Sequence, residues 1–204
     1  MLFGHGVVGN DHPIAPSNPF HASSLPQRKY DVDKARFYAK KAGGIKVKLS
    51  AADAAFPGAV DAAVLYKEYA AAAGIEIEVV REPNDGYWKN VWMKKPWGAC
   101  YWGGRPTEDW MFSTTHFSGA DWNDTHFKNE QFDKWLIEAR AETNQNKRRQ
   151  LYYEMQKMVS DEGGTVVPMF ANYVFAAHKN VQHGTMAGNW MMDGNKFHER
   201  WWFA

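Results

Sequence analysis

One segment of the chain places aromatic side chains directly before a glycine-rich loop that carries a single arginine. Residues 99–110 read ACYWGGRPTEDW. Trp102 offers a rigid apolar plane, and Arg105 offers a planar guanidinium that pairs with carboxylate or phosphate groups. Together with Tyr101 and Gly104, these residues predict a site that binds an organic anion without reacting with it. The alternative for the same segment is a buried strand tryptophan followed by a solvated loop arginine.

Carboxylates and histidines are present, but their spacing is not typical of a catalytic or metal site. The acidic candidates are Glu108, Asp109, Asp121 and Asp124. Their spacing does not support the carboxylate pair that glycoside hydrolysis requires, and loop carboxylates are usually solvated or bonded to turn backbone. The eight histidines show no metal-binding spacing on one helix face, and we interpret them as surface and turn residues: positions 5, 12, 21, 116, 126, 178, 183 and 198. We predict a protein that is not an enzyme and holds no metal or cofactor.

The composition excludes several classes of partner. The 204 residues carry 24 Lys and Arg against 23 Asp and Glu, so the charge gives no strong field to attract nucleic acid. Cys100 is the only cysteine, which rules out an internal disulfide and a cysteine metal cage. No apolar run reaches membrane-spanning length, and the first residues lack the basic region and apolar stretch of a signal peptide. Because the chain opens in loop-like sequence, we expect that an N-terminal part precedes it in the intact protein.

Helix and strand signals alternate over the first half of the chain. Asp31 can cap a helix, and the apolar residues after Gly44 alternate with polar ones as in a half-buried strand. The same pattern repeats, which predicts three helix and strand pairs: 31–41 with 45–49, 58–73 with 75–79, and 84–95 with 98–102. Helices of this length between strands predict an α/β fold with a mostly parallel or mixed sheet flanked by helices.

The remaining segments have less regular sequence patterns. The entry segment 4–28 is rich in turn residues, and 113–125 has no clear periodicity, so both are expected to be loops. Apolar residues at helical spacing predict two amphipathic helices, one carrying Phe132 and Leu136 and the next carrying Leu151 and Met155. Strands are expected over 165–170 and 173–177. The segment 184–204 is too apolar for a free tail, and we expect it to pack against something.

Five landmarks in this order resemble a known family. They are Tyr30–Arg36 before the first helix, Ala73–Ile77 at the second strand, Phe127–Asp133, Lys147–Tyr152, and Pro168–Phe170. Together they are similar to the large-lobe sequence of solute-binding proteins of the dipeptide and oligopeptide class of ABC importers (bacterial extracellular solute-binding protein family 5), over roughly residues 8–183.

The resemblance implies an architecture and a function. It implies one lobe of a periplasmic-binding-protein type II-like fold over residues 1–184, followed by a tail over 185–204 that crosses back to the other lobe in the intact protein. Family members are more than twice this length, so the N-terminal lobe is expected to be missing from this chain. The implied function is to capture a peptide-like or other small organic solute in the periplasm and deliver it to an ABC permease of the inner membrane.

The ligand-facing loop departs from the family pattern. The resemblance places an aromatic residue at Trp102 and, three positions later, an acidic residue that pairs with the α-amino group of a peptide. This sequence has Arg105 there, which favours a carboxylate or phosphate on the ligand and repels an ammonium group. A metal cargo carried by a chelating organic anion stays open.

A carbohydrate-binding module is the alternative function. It would use Trp88, Trp92, Trp102 and Trp122 as stacking platforms. Such modules are mostly β-sandwiches, and the alternation of helices and strands argues against that class. For Trp88 and Trp92, which are four residues apart on one helix, packing against the sheet is the favoured interpretation.

Overall fold

The computed structural model describes residues 4–188 and 190–204, which form two compact units. We call Arg28–Tyr101 the βα unit, and 4–27 with Trp102–Ala204 the helical unit. Across both units, the helices in chain order are α1 Val32–Lys41, α2 Ala59–Ala71, α3 Tyr87–Asn90, α4 Glu108–Thr115, α5 Glu130–Ala141, α6 Gln145–Glu162, α7 Met191–Asn195 and α8 Phe197–Arg200. The strands are β1 Gly6–Val8, β2 Ile45–Ala51, β3 Ile75–Arg81, β4 Met169–Ala171, β5 Val181–His183 and β6 Trp201–Phe203. The predicted α/β class is confirmed.

The βα unit is built as its sequence pattern predicts. The Asp31 side chain accepts a hydrogen bond from the Lys34 amide at the start of α1, and β2 pairs in parallel with β3 over seven residues. Alternate strand residues point inward, so Leu49 and Ile77 are buried in a small core with Ala63 of α2. Helix α2 crosses between the two parallel strands, as their connection requires.

The third predicted helix and strand are shorter than expected. Helix α3 has only four residues, and Met93 beyond it has a left-handed backbone (φ 56°) that no α-helix continues through. The predicted strand 98–102 forms a single parallel bridge, between Gly98 and Ser50. Further pairing stops at Ala99, because the buried Tyr87 hydroxyl donates to its carbonyl at 2.6 Å. The described residues therefore contain three two-stranded sheets, one parallel and two antiparallel, where a single larger sheet was expected.

The helical unit has an aromatic core between helices α4, α5 and α6. Phe112, Phe132 and Met155 are fully buried, and the rings of Phe112 and Phe132 meet edge to face with centroids 5.2 Å apart. Side-chain oxygens of Asn129 and Asn144 accept amide hydrogen bonds at the starts of α5 and α6, where the sequence predicts these helices. The core therefore forms where apolar residues recur at helical spacing.

Helix α4 corrects the prediction of a loop from residue 113. Its N-terminus is capped by Thr107, whose hydroxyl accepts from the Trp110 amide at 3.2 Å. Met111, Phe112 and Thr115 are buried, so packing stabilises a short helix whose periodicity is too brief to recognise.

The strands of the helical unit also differ from expectation. Only Met169–Ala171 of the two predicted strands is formed, and it pairs antiparallel with β1, inside the segment expected to be loop. Residues 173–177 form no strand. Next to β1, a Cβ atom at Gly9 would overlap the carbonyl oxygen of Val167, so this close approach of two backbones requires glycine.

Two histidines were wrongly interpreted as surface or turn residues. His12 and His116 are buried in the helical unit. Burial, with His21 nearby, lowers the pKa of His12 to about 4, and burial lowers the pKa of His116 to about 3. Both rings are therefore neutral at pH 7.

The segment 185–204 belongs to the helical unit. Strand β6 pairs with β5, the Trp190 ring lies 5.8 Å from that of Trp110, and buried Asp193 accepts from the Trp201 indole at 3.1 Å. Residues 1–3 of the predicted lobe and Asn189 of the predicted tail lie outside the described residues, and the predicted boundary at residue 184 stays a prediction. Within the described ranges, no helix combines the length and apolar character needed to cross a membrane.

Candidate functional site

Three of the four predicted site residues lie together in the helical unit. Trp102, Gly104 and Arg105 belong to the loop that leads into α4. Tyr101 belongs to the βα unit, where its ring packs edge to face on Trp88 with centroids 5.6 Å apart, and it is 61% exposed. The site described here is therefore the loop around Arg105, and the predicted role of Tyr101 stays a prediction.

Arg105 is held by its own loop and by two indole rings. Its Nη1 donates to the carbonyl oxygens of Gly103 at 2.9 Å and Gly104 at 3.3 Å. The guanidinium carbon lies 5.8 Å from the ring centroid of Trp102 and 5.7 Å from that of Trp110, within the range of cation–π attraction. The side chain is half-buried, between full burial and the exposure of a solvated loop charge.

The guanidinium retains hydrogen-bonding capacity. Its Nε is buried and has no acceptor among the described residues, and no described carboxylate forms an ion pair with Arg105. A carboxylate or phosphate that pairs with the guanidinium would neutralise its charge through charge-assisted hydrogen bonds. The arrangement is therefore suited to bind an anion.

Trp102 is fixed by a hydrogen bond and by ring packing. Its indole Nε1 donates to Asp124 Oδ2 at 3.1 Å, and its ring lies 6.1 Å from that of Trp122 at an angle of 45°. One side of Trp102 also packs against the aromatic core of the helical unit. Trp102 is consequently half-buried, between the full burial of a strand residue and the exposure of a free platform.

The loop is also tied to a distant segment. The Gly104 amide donates to the hydroxyl oxygen of Tyr173 at 3.2 Å. This contact joins residues 69 positions apart, and it orients the peptide groups whose carbonyls receive Arg105. Tyr173 therefore helps to fix the conformation of this loop.

Sequence reasoning missed several residues that build this site. They are Trp110 and Tyr173, while Trp122 was considered only as a carbohydrate platform and Asp124 only as a candidate for a catalytic carboxylate pair. Trp110 lies in the segment that drew attention to the loop, five residues after Arg105, and a capped helix starting at Glu108 would have placed it near the guanidinium. The contacts of Asp124 and Tyr173 depend on the tertiary fold and leave no local signal.

The acidic side chains beside the loop have structural partners. Glu108 is buried and accepts a hydrogen bond from the side-chain amide of Asn18 at 3.3 Å, and Asp109 forms an ion pair with Arg140 at 2.7 Å. The described part of the chain brings no three His, Cys, Asp or Glu side chains into a group that could hold a metal ion.

Comparison with solved structures identifies the fold. No protein-family model and no curated protein matches the sequence. Among solved structures, the chain is similar to HbpA2 from Haemophilus parasuis, with a TM-score of 0.73, 16% identity and coverage of 100% of this chain and 41% of that one. It is also similar to the oligopeptide-binding protein AppA from Bacillus subtilis in complex with a nonapeptide, with a TM-score of 0.67, 17% identity and coverage of 98% and 43%.

A third similar structure is NikZ from Campylobacter jejuni in complex with Ni(L-His), with a TM-score of 0.67, 18% identity and coverage of 97% and 43%. The chain spans 34% to 43% of the length of the solved structures it resembles. At these identities the likeness establishes the fold, and the resemblance predicted from the sequence is confirmed at that level. The chain has the fold of part of a peptide- or nickel-binding protein of the ABC transporter type.

Proposed function

We propose that this chain is part of the substrate-binding component of an ABC importer, and that it captures a small organic anion through Arg105 and Trp102. The fold it shares with transporter-associated binding proteins supports a binding role in preference to a catalytic one. One of the similar structures is that of an ABC transporter-associated periplasmic binding protein, which supports the periplasm as the compartment. Delivery to a membrane permease follows from the same role.

The observation that carries the proposal is the set of contacts that the Arg105 guanidinium makes. It is oriented by two loop carbonyls and two indole rings, and no carboxylate among the described residues pairs with it. A carboxylate or phosphate paired with the guanidinium would neutralise its charge, and a ligand ammonium group would be repelled. We therefore expect an anionic group of the solute to bind here.

The carbohydrate-binding module has less support. The four tryptophans proposed as its platforms divide between the two units, with Trp88 and Trp92 in one and Trp102 and Trp122 in the other. The observed helices and short strand pairs differ from the two packed sheets of a β-sandwich.

Titration followed by NMR tests the proposal. The indole N–H signals of the labelled chain are recorded during addition of peptides, nickel with histidine, and small organic carboxylates and phosphates. We expect saturable shifts at Trp102 and Trp110 with anionic solutes, at dissociation constants weaker than about 1 μM, because half of a two-lobed cleft leaves much of the ligand in water.

Arg149 provides a matched control for Arg105. Its guanidinium also lies over an aromatic ring, 5.0 Å from the centroid of Phe20, and also donates to a backbone carbonyl, that of Pro19. Arg105→Glu should abolish the shifts, and Arg149→Glu should retain them. Equal binding by both variants, or no saturable shift with any solute, would contradict the proposed function.

A further inference from the structure

The aromatic rings around Arg105 continue beyond the two that hold it. Trp122 lies against Trp102 at 6.1 Å, and Trp190 lies against Trp110 at 5.8 Å. Together with the guanidinium between them, these side chains form a continuous row, which we call the indole row: Trp122, Trp102, Arg105, Trp110 and Trp190. All of its members belong to the helical unit.

Two members of the indole row present large ring surfaces to solvent. Trp122 is 52% exposed and Trp110 is 48% exposed. An indole ring on a rigid element loses little conformational entropy when a ligand covers it, and exposed tryptophans that lie close together mark contact surfaces. Trp110 is carried by α4, and Trp122 is braced by the ring of Trp102, which is itself bonded to Asp124.

The charge of the row is concentrated at its middle. Arg105 lies between Trp102 and Trp110, so an anion that pairs with its guanidinium brings the group attached to it against indole rings. A carboxylate on a ring can use both features at once, the charge through Arg105 and the flat face through stacking. A short aliphatic acid uses the charge alone, and a neutral sugar uses the stacking alone.

We propose that the solute bound at this site is a carboxylate attached to a ring, with its ring face stacked on Trp110 or Trp122. This proposal rests on the proposed function and names the chemical class of its substrate. A uronic acid and an aromatic acid share this chemistry, and the experiment distinguishes them.

Four probes separate charge from stacking. Glucuronate and phenylacetate each carry a ring and a carboxylate, acetate carries the carboxylate alone, and glucose carries a ring alone. Dissociation constants are measured on the full chain from the Trp102 and Trp110 indole shifts. We expect at least one ring carboxylate to bind at least tenfold more tightly than both acetate and glucose, and the tighter of the two identifies a saccharide or an aromatic source.

Variants locate the stacking surface. Trp110→Ala and Trp122→Ala remove exposed rings, and at least one of them should weaken ring-carboxylate binding at least fivefold, and by a larger factor than it weakens acetate binding. Trp88→Ala is the control, because Trp88 is 40% exposed and belongs to the βα unit. If an alanine variant fails to fold, Trp110→Phe and Trp122→Phe replace it and should retain part of the preference.

The outcomes separate this inference from the proposed function. Acetate binding as tightly as both ring carboxylates overturns the inference, and so does a loss in Trp88→Ala equal to that in the indole-row variants. Saturable binding of a peptide or nickel with histidine at Trp102, without binding of either ring carboxylate, overturns the inference and leaves the proposed function standing. Absence of binding by every solute overturns both.

Discussion

In the βα unit, two seven-residue strands pair in parallel and bury a small core of aliphatic side chains. In the described part of the helical unit, each strand pair covers three residues, and the core is formed by aromatic rings from three helices. The first unit is held by regular backbone hydrogen bonds that alternation alone specifies. The second depends on side chains that bond to distant backbone, and it carries the candidate site.

Gln156 illustrates how the helical unit is held. This fully buried side chain of α6 accepts from the Ala22 amide at 2.9 Å and donates to the Phe20 carbonyl at 2.8 Å. Gln156 therefore supplies hydrogen-bond partners to backbone groups of the irregular entry segment, although the two lie more than 130 residues apart along the chain. A unit built in this way can present irregular loops with fixed geometry, which is what a binding loop requires.

A fall in pH should produce the largest difference in stability between the two units, because it should destabilise the helical unit more than the βα unit. All eight histidines lie outside the βα unit, and in the helical unit burial holds the pKa of His12 at about 4 and that of His116 at about 3. Both values are below the pKa of about 6.5 in the unfolded chain, which therefore binds more protons. The free energy of unfolding falls as the pH drops from about 6.5 through the folded pKa values, by about 1.4 kcal/mol per pH unit for each histidine.

Urea unfolding and regional hydrogen exchange at pH 7, 6 and 5 measure this effect. Protection should decline first in the helical unit. The double variant His12→Gln and His116→Gln should flatten the pH profile, whereas exposed His178→Gln should leave it unchanged. An unaltered slope in the double variant would show that these histidines do not control the acid response.

A core truncation should test whether the two units depend on each other. Phe132 is fully buried with edge-to-face contacts to Phe112 and Phe127, so Phe132→Ala should lower the free energy of unfolding by about 3–5 kcal/mol. Phe37→Ala, at an exposed site in the βα unit, is the control and should change it by less than about 0.5 kcal/mol. Hydrogen exchange should show the loss of protection in the helical unit; an equal loss in the βα unit would show that the units unfold together.

The elements that could be predicted from the sequence are those specified by local patterns. Apolar periodicity, with the capping residue Asp31, predicts helices α1, α2, α5 and α6 and strands β2 and β3. All six lie close to their expected positions. Strand β1 was missed because its partner β4 lies more than 160 residues away along the chain. The burial of His12 was also missed, and the adjacent Asp11 accepts from the amide of Val167, which is far along the chain.

The candidate site could be predicted in part. Trp102 and Arg105 are three residues apart in a loop, and the structure places the guanidinium over that ring. Placing the second ring, Trp110, near the guanidinium would have required knowing that α4 forms. Placing Trp122 against Trp102 would have required the fold of the loop that follows α4. Local sequence therefore indicated the charge and one aromatic partner, and tertiary structure supplied the extent of the surface.

Removing the Gln156 amide should test the role of side-chain bonds in the helical unit. Gln156→Ala leaves the buried Ala22 amide without its acceptor and the Phe20 carbonyl without this donor, so we expect a loss of about 2–3 kcal/mol in the free energy of unfolding. Gln150→Ala on the same helix is the matched control, because Gln150 is exposed and its side chain donates to Glu154 one turn away. Equal unfolding midpoints for the two variants would mean that Gln156 contributes no more than an exposed helical residue.

The smallest effect is expected at ion pairs on the surface, where the two units can be compared directly. In the βα unit, Lys48 pairs across the sheet with Glu78 at 3.2 Å, and both side chains are largely exposed. In the helical unit, Arg140 pairs with Asp109 at 2.7 Å, and it also donates to the Ser113 hydroxyl. An exposed pair gains little because water screens it, whereas a less exposed pair with an additional hydrogen bond gains more.

Double-mutant cycles should therefore give a coupling below about 0.5 kcal/mol for Lys48 with Glu78, and a larger one, up to about 1 kcal/mol, for Arg140 with Asp109. Each cycle is measured by urea unfolding at 0.05 M and 1 M NaCl. The coupling of Lys48 with Glu78 should disappear at the higher salt concentration, since screening acts most on exposed charges. If that coupling equals or exceeds the one in the helical unit, then side-chain interactions matter as much in the βα unit, and the contrast between a unit held by backbone pairing and a unit held by side chains is wrong.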